Sequence, residues 1–458
     1  MTPSTTTSTW PRLPVLPDAA TDAVVASGLL AELAHAFGGP FHFLLPDAFD
    51  VNLQAMQDVL ASAGVNGVVY FAKKANKAAV FAERAAAGGA GVDVASAGEL
   101  REALGHGVRG EHLVVTGPAK APALLRLAVQ HGALIAIDAI DELDAVITLP
   151  PAGQGHPARV LLRALPSVQP DSRFGMAAAE LVTAMDRCAT AGDAIRMEGF
   201  SFHLSGYALQ PRADLAARLI DLCRMARARG LQAGRISIGG GLPISYTDAD
   251  SWHTFLTQHH ARHYHTGKKF PPADFYPYHS APSGPAALAA LLQTRPHTTG
   301  ATLADIIRDA GVQLLLEPGR ALLDRAGATV FTIQGVKDRG GYRLLTVDGT
   351  SLSLSEQWFN SEYLPDPQII PQDHAAPAGV FPASVGGATC LESDMLTWRK
   401  IAFPHLPRAG DLLLYPNTAG YQMDSNESPF HDLPLPPKVV IDRTDHPRPR
   451  WRLDRHFT

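Results

Sequence analysis

The chain has 458 residues, of which 46% are hydrophobic and 18% charged, and this length is sufficient for two domains with separate cores. A formal net charge of -5 without a basic stripe argues against a nucleic-acid-binding surface. Three cysteines cannot form a disulfide framework, no apolar run has the length of a membrane span, and the N-terminal segment lacks the pattern of a signal peptide. We therefore expect a cytoplasmic protein without membrane or nucleic-acid partners.

Short apolar runs alternate with alanine-rich, helix-like segments from about residue 40 to residue 320. Eight such strand–helix units predict an α/β fold, a (β/α)8 TIM-like barrel rather than an open Rossmann sheet. The chemistry of such a barrel is expected at the carboxyl ends of its strands. In chain order, the predicted strands are Val68–Ala72, Ala90–Val94, His112–Thr116, Leu134–Asp138, Arg159–Ala164, Gly199–Leu204, Arg235–Gly239 and Val312–Glu317.

The pattern changes after Arg320, where strand-like segments are separated by turns rich in proline and glycine. This change predicts a C-terminal β domain, a sandwich or a barrel, over residues 323–458. The (β/α)8 barrel is predicted over 41–322, with an insertion near 247–303 because the connection between its last two strands is unusually long. Residues 1–40 are expected to join the β domain.

The segment Tyr70–Asn76 places two lysines, Lys73 and Lys74, at the end of an apolar predicted strand. Burial lowers the pKa of a lysine and frees its nucleophilic amine, which is what a Schiff base to an aldehyde cofactor requires. For this segment alone, a lysine that is merely solvated at a strand end is the alternative.

Three other predicted strand ends carry glycine-rich or polar motifs. The run Gly239–Gly241 would let backbone N–H groups approach a phosphate, although a plain tight turn also explains it. Glu317 and Arg320 in the EPGR motif would hold a protonated pyridine nitrogen and an anion, or form only a local ion pair. His203 would stack on a planar ring or serve only the structure.

These motifs occur in the order found in fold-type III pyridoxal phosphate (PLP) enzymes. The chain resembles the ornithine/diaminopimelate decarboxylase family, which has an alanine racemase-like barrel, from roughly residue 41 to residue 441. The family pattern aromatic-Ala-x-Lys-x-Asn selects Lys74 over Lys73 as the Schiff-base lysine. The resemblance rests on FAKKAN, DVASAGE, RFG, FHLSG, the triple glycine, EPGR, GATCLESD and GDLLLYPNTAGY.

The resemblance implies a role for each motif. Lys74 would carry PLP as a Schiff base, His203 would stack on its ring, and Glu317 would pair with the pyridine nitrogen. Cys390 would protonate the carbanion, reaching the active site from the partner subunit of a homodimer with shared active sites. The other expected cofactor ligands are Asp93, Arg163, Gly239, Gly240, Gly241, Gly319, Arg320 and Tyr421, with Glu99 nearby, and the residues expected near the substrate are Arg320, Asp348, Leu391 and Asp394.

Two departures from the family concern the substrate. The residue after the matching cysteine is usually acidic in the family and binds a distal amine, but here it is Leu391. The arginine–proline pair that grips a distal carboxylate in diaminopimelate decarboxylases is absent from Leu354–Trp358. Because an uncompensated charge in a desolvated pocket is costly, free ornithine, lysine and meso-diaminopimelate are not expected as best substrates. A modified, conjugated or carrier-borne amino acid is expected instead.

The expected function is therefore PLP-dependent α-decarboxylation of an amino acid or amino-acid conjugate through a Schiff base, a carbanion and reprotonation. An amino-acid racemase on the same fold and a catalytically silent PLP-binding regulatory protein are the alternatives. No metal is expected, because His259 and His263 have i,i+4 spacing but no cysteine or paired acid that would complete a site.

Overall fold

The chain folds into two compact units, which we call the barrel unit and the β unit. The computed structural model describes residues 10–150, 156–354, 362–372, 377–442 and 449–454. The barrel unit contains the described residues within Asp47–Pro243 and Pro282–Leu323. The β unit contains those within Met1–Pro46, Ile244–Ala281 and Asp324–Asp454. Each unit is therefore assembled from segments that are far apart in the sequence.

Strands and helices alternate through the barrel unit, whereas strands dominate the β unit. In the described part of the chain, the strands are β1 (Phe41–Leu44), β2 (Gly67–Ala72), β3 (Gly91–Val94), β4 (Leu113–Val115), β5 (Leu134–Ile137), β6 (Ala158–Ala164), β7 (Ile195–Phe202), β8 (Arg235–Ser237), β9 (Gln313–Leu316), β10 (Gly327–Asp338), β11 (Arg343–Val347), β12 (Gln368–Ile370), β13 (Ala378–Gly386), β14 (Met395–His405), β15 (Leu412–Tyr415), β16 (Lys438–Asp442) and β17 (Arg450–Leu453). The α-helices there are α1 (Ala19–Ala26), α2 (Leu29–Phe37), α3 (Pro46–Ser62), α4 (Ala79–Ala87), α5 (Ala97–Gly105), α6 (Pro122–Gln130), α7 (Ile140–Ile147), α8 (Ala178–Thr190), α9 (Leu209–Ala228), α10 (Ala249–Gln258), α11 (Gly284–Gln293) and α12 (Leu303–Ala310).

Strands β2 to β9 form a closed parallel barrel, in which each strand pairs with the next and β9 pairs with β2. Each of them overlaps one predicted strand, so the predicted (β/α)8 barrel is confirmed. Apolar side chains fill its interior, and Tyr70 lies there against Gly91, where an added Cβ would come 2.3 Å from the tyrosine ring. The barrel is therefore a packed core, and its polar chemistry is left to the strand ends.

Nine strands of the described chain form one mixed sheet in the β unit, which confirms the predicted β domain. Its main path runs β14-β13-β11-β10-β1-β16-β17, and β15 pairs with both β10 and β12. Strand β1 lies antiparallel to β10 and parallel to β16. Leu30 and Leu33 of α2 pack with Phe41 and Phe43 of β1 in the core of this unit.

The excursion Ile244–Ala281, which leaves the barrel after β8, groups with the β unit. Aromatic packing holds it there, since the ring centroids of Tyr246 and Tyr278 lie 5.3 Å apart and those of Tyr246 and Tyr363 lie 5.7 Å apart. The predicted insertion near 247–303 spans both units, because residues from Pro282 onward group with the barrel unit. The domain boundaries themselves stay predictions.

One buried arginine connects three segments of the β unit. Arg399, in β14, donates from Nη1 to the carbonyl of Pro11 at 2.7 Å and from Nη2 to Oδ1 of Asp366 at 2.6 Å. Its guanidinium carbon lies 5.5 Å from the ring centroid of Phe255 in α10. The N-terminal segment, the excursion and the sheet therefore all contact one side chain, which is 1% exposed.

The histidines of the excursion make ordinary packing contacts. His259 stacks on Phe255 with ring centroids 5.1 Å apart, and the backbone N–H of His260 donates to Nδ1 of His263. Within the described residues, no group of three or more histidines, cysteines and acids could hold a metal ion. None of the helices that the structure describes is both long enough and apolar enough to cross a membrane.

Candidate active site

The two lysines after strand β2 have different surroundings, although both lie in the 3-10 turn Lys73–Ala75. Lys73 is fully buried, and its Nζ pairs with Glu102 at 2.8 Å and donates to the carbonyl of Lys77 at 2.8 Å. The Lys74 side chain is 48% exposed, and its Nζ lies 3.0 Å from Oδ2 of Asp93. Lys74 is therefore the accessible amine of the pair, and it is the lysine that the sequence motif selects.

Asp93, in β3, is held in place by a hydrogen bond from the next strand end. It is 1% exposed, and its Oδ1 accepts a hydrogen bond from Oγ1 of Thr116 at 2.6 Å. Thr116 thus orients the carboxylate whose other oxygen contacts Lys74. Glu99 lies in the following helix, α5, and burial raises the pKa of its carboxyl. Sequence reasoning placed Thr116 at the end of a predicted strand but missed its role at the site.

Glu317 directly follows β9 at the same end of the barrel. Its Oε1 accepts a hydrogen bond from Oγ of Ser237, the last residue of β8, at 2.6 Å. Burial, followed by the negative charge of Asp93, raises the pKa of Glu317. A cation placed beside such a carboxylate relieves its desolvation, and a protonated pyridine nitrogen carries that charge. Sequence reasoning missed Ser237 as the group that orients Glu317.

The rings at the end of β7 pack on the RFG segment. The ring centroids of His203 and Phe174 lie 5.0 Å apart, and the guanidinium carbon of Arg163 lies 5.0 Å from the Phe174 centroid. Arg163 Nη1 donates to Oδ1 of Asp138 at 2.9 Å. Burial, followed by the positive charges of Arg163 and Lys74, lowers the pKa of His203 to about 4. The imidazole is therefore neutral at pH 7, and a neutral imidazole can stack on a planar ring.

The triple glycine after β8 has a backbone that only glycine adopts readily. Gly239 and Gly241 have φ values of +65° and +78°, and an added Cβ on Gly240 would lie 2.7 Å from the carbonyl oxygen of Glu317. Gly319 and Arg320, the other residues expected to bind the phosphate, lie at the start of a 3-10 turn. Gly319 directly precedes this turn, Arg320–Leu322, and Arg320 is 5% exposed. We call Gly239–Gly241 the triple-glycine loop. Without side chains, this loop allows the close approach of a phosphate to backbone N–H groups.

These strand ends fit PLP as a set. An accessible amine lies beside a buried carboxylate, a second carboxylate is desolvated, a neutral imidazole follows β7, and a glycine-rich loop follows β8. The aldehyde, the pyridine nitrogen, the ring face and the phosphate of PLP each match one of these groups. All of the residues concerned belong to the barrel unit.

The remaining expected site residues belong to the β unit. Cys390 and Leu391 are exposed, the latter by 51%. Asp394 is buried, and its oxygens accept from the backbone N–H of Ser351 at 2.7 Å and from Oγ1 of Thr389 at 2.8 Å. These bonds fasten the loop that carries Cys390. The stretch Ser355–Trp358, where the family arginine is absent, lies outside the described residues.

Asp348 and Tyr421 have structural constraints of their own in the β unit. Oδ1 of Asp348 accepts from the backbone N–H of Thr332 at 2.9 Å, and burial raises the pKa of its carboxyl. Tyr421 has a φ of +81°, which is uncommon for an aromatic residue and marks a tight turn. The roles of both residues stay predictions.

Comparisons with known proteins agree with this geometry. Residues 48–274 match the family model of the pyridoxal-dependent decarboxylases, in its pyridoxal-binding domain. The chain is 39% identical, over 95% of each chain, to an uncharacterized protein, y4yA, of Sinorhizobium fredii. It is 25% identical to diaminopimelate decarboxylase of Halalkalibacterium halodurans, covering 90% of this chain and 89% of that one.

Solved structures of low sequence identity have the same fold. Diaminopimelate decarboxylase of Helicobacter pylori, complexed with L-lysine, superposes with a TM-score of 0.68 at 17% identity, over 91% of this chain and 93% of that one. Lysine/ornithine decarboxylase of Vibrio vulnificus, complexed with putrescine, gives a TM-score of 0.66 at 19% identity, over 90% and 97% of the two chains. With its barrel, its accessible strand-end lysine and these relatives, the chain belongs to the pyridoxal-dependent decarboxylases, and its cofactor is PLP.

Proposed function

We propose that the protein removes the α-carboxylate of an amino acid whose distal end is modified, conjugated or attached to a carrier. The observation that carries the decarboxylase proposal is the exposed Lys74 amine 3.0 Å from the buried Asp93 carboxylate, at the end of the barrel where Glu317 also lies. When bound, PLP withdraws electrons from the α-carbon and so makes loss of CO2 possible.

The residues of the barrel unit would bind the aldehyde, the pyridine nitrogen, the ring face and the phosphate of the cofactor. Lys74 would bind the aldehyde carbon covalently, and Asp93 would hold the lysine amine in position. Glu317, oriented by Ser237, would keep the proton on the pyridine nitrogen, since a desolvated carboxylate gains most from a neighbouring cation. The neutral ring of His203 would cover one face of the pyridine ring.

The phosphate end would lie at the triple-glycine loop. Gly239, whose own N–H donates to Oγ of Ser237 at 3.3 Å, would begin this loop, and Gly240 and Gly241 would present backbone N–H groups. Gly319, Arg320 and Tyr421 would complete the phosphate ligands. Arg163, whose Nη1 donates to Asp138 and to the carbonyl of Gly117, would lie near the pyridine ring. Binding at both ends would orient the substrate carboxylate for departure and exclude water from the α-carbon.

Cys390 would return a proton from its Sγ to the α-carbon after CO2 leaves, and we assign it to the partner subunit of a homodimer. Its Sγ belongs to an exposed residue, so it does not serve the packed core of its own β unit and is accessible to a second chain. Equal mixing of Lys74→Ala and Cys390→Ala chains tests this assignment. Exchange of subunits then restores about one quarter of the wild-type activity, because each mixed dimer contains one site with both residues intact. Activity that stays at the level of the two single variants contradicts a shared site.

The identity of Leu391 supports a substrate without a free distal amine. An apolar, 51% exposed side chain stands where relatives of this family place an acid, so no charge awaits an ammonium group at that position. Free lysine and ornithine would therefore leave their distal charge unpaired, whereas an acylated or carrier-bound distal nitrogen would not.

A panel of substrates tests this proposal. We expect the full-length PLP-loaded protein to release CO2 from amino acids acylated on the distal nitrogen with kcat/KM about 100-fold above the free diamino acids. Leu391→Glu is the matched variant, and it should shift the preference back toward free diamino acids. Efficient turnover of a free diamino acid by the wild type contradicts the substrate proposal. Exchange of the α-proton in deuterated water without CO2 release would instead identify a racemase.

A further inference from the structure

A buried arginine that no sequence motif indicated lies against the triple-glycine loop. Arg212 belongs to α9, is 1% exposed, and extends toward the loops that follow β7 and β8. Its Nη1 donates to the carbonyl of Ile238 at 2.8 Å. Its Nη2 donates to the carbonyls of Leu204 and Gly206 at 3.3 Å and 3.1 Å. One guanidinium group therefore joins the loop after His203 to the triple-glycine loop.

The triple-glycine loop rests directly on this side chain. A Cβ added to Gly241 would lie 2.1 Å from Nη2 of Arg212, so no larger residue fits there without displacing the guanidinium. Nη1 binds the carbonyl of Ile238, and the N–H of the same peptide group, that of Gly239, donates to Oγ of Ser237 at 3.3 Å. The arginine and the serine thereby fix the start of the loop that would carry the phosphate donors.

The charge of Arg212 is not balanced by the residues that the structure describes. Its hydrogen-bond acceptors among these residues are backbone carbonyls, and its buried Nε has no hydrogen-bond partner there. The buried Arg163 and Arg399, in contrast, each pair with an aspartate. Burial lowers the pKa of Arg212 to about 10, which still leaves it charged at pH 7. A buried cation without an anion retains its full desolvation penalty, and a nearby bound anion would offset part of that free energy.

We propose that Arg212 is a positioning residue for the phosphate of the cofactor, and that a bound phosphate group balances its buried charge. Arg212 holds the His203 loop and the triple-glycine loop at one spacing, and its charge favours a ligand with a dianionic phosphate over the same ligand without it. The inference rests on PLP as the cofactor and is independent of the substrate proposed above.

Binding of PLP and of pyridoxal, which lacks the phosphate, separates this role from general support of the fold. We expect Arg212→Gln, in the full-length chain freed of cofactor, to lower the ratio Kd(pyridoxal)/Kd(PLP) about 10-fold or more, because the variant loses a charge that only the phosphate uses. Arg159→Gln is the matched control. It removes a largely buried arginine of the same barrel whose partner, Glu198, keeps Arg196 and Arg235. This control should lower stability and leave the ratio unchanged.

Equal weakening of PLP and pyridoxal by Arg212→Gln overturns the proposal, since it would show support of the fold alone. If this variant does not fold, the same ratio is measured for Arg212→Lys, which keeps the positive charge. Its ratio should stay within about 3-fold of the wild type, and a ratio reduced as much as 10-fold contradicts a role for the charge. In the cofactor-free wild type, inorganic phosphate must raise the unfolding midpoint more than chloride does at equal ionic strength. The absence of that shift overturns the proposal whatever the variants do.

Discussion

The barrel unit and the β unit both contain buried charges that pair within the protein, but the open end of the barrel also contains buried charged groups whose described hydrogen-bond partners are neutral. In the β unit, Arg399 pairs with Asp366, and Lys438 Nζ contacts Asp424 at 2.5 Å. At the open end of the barrel, Glu317 is desolvated and Arg212 contacts only carbonyls among the described residues. Buried charges that pair within the protein hold segments together. Those whose balance must come from a ligand mark the place where the ligand binds.

Replacing Lys74 at the open end of the barrel should have the largest effect on activity, since it removes the accessible amine of the turn. We expect Lys74→Ala to lower CO2 release about 1000-fold or more and to abolish the covalent fixation of PLP by borohydride. The unfolding midpoint should also fall modestly, because the buried Asp93 carboxylate loses the cation 3.0 Å away. Absorbance and peptide mass after borohydride treatment report the result.

Lys73→Ala is the control for that variant. It removes the buried partner of Glu102 and should lower stability while leaving the fixation of PLP intact. Fixation of PLP to Lys73 in the wild type would contradict the assignment.

Replacing Arg399 should show the opposite behaviour in the β unit. Arg399→Met leaves Asp366 and Glu362 without their cation and should lower the unfolding free energy by about 3–5 kcal/mol. Tryptophan fluorescence suits the measurement, because the tryptophans in the described residues, Trp10, Trp252, Trp398 and Trp451, lie in the β unit. Arg343→Met, at a less buried position of the same sheet, should cost less than about 1 kcal/mol. Equal losses for the two variants would break the comparison.

The pH dependence of stability should show a contribution from Glu362. Burial is the main cause that raises its pKa, from 4.5 to about 7. The folded state then binds more protons than the unfolded state between these values, so this contribution is complete below pH 4.5 and is lost as the pH rises through about 7. We expect a loss of up to about 3 kcal/mol by pH 8, measured by denaturation at a series of pH values. Glu362→Gln should flatten this slope, and an unchanged slope would exclude the residue as its source.

The smallest predicted effect concerns Thr116 in the barrel. Thr116→Val removes the hydrogen bond to the buried Asp93 carboxylate and should lower the unfolding free energy by about 2 kcal/mol. Thr116→Ser keeps the donor and should cost less. Thermal unfolding followed by circular dichroism distinguishes the two variants, and equal losses would assign the effect to packing.

Much of the barrel could be predicted from sequence because its signals are local. Each strand is a short apolar run, and the motifs around Lys74, His203 and Glu317 follow such runs directly. Thr116 and Ser237 were missed because a hydroxyl at a strand end has no distinctive pattern. Arg212 was missed because it lies inside a helix, and only the tertiary structure brings its guanidinium to the loops.

The β unit was less predictable because its pairings are non-local. The sequence predicts four strands here, which overlap β10, β11, β15 and β16, but not their order in the sheet: Thr329–Val336, Tyr342–Val347, Asp411–Tyr415 and Lys438–Ile441. The grouping of Ile244–Ala281 with this unit depends on aromatic contacts between distant segments, which local periodicity does not encode. The roles of Cys390, Asp348 and Tyr421 rest on the family resemblance alone.

The position of β1 has a consequence for synthesis of the chain. His42 in this strand pairs with Thr329 of β10 on one side and with Lys438 of β16 on the other. A ribosome therefore synthesises β1 before both of its neighbours, and β16 only after β10. Until β16 has been made, at least one edge of an apolar strand is unpaired, and such edges recruit other chains. An edge open to aggregation thus persists in the nascent chain even after all of the barrel strands have been made.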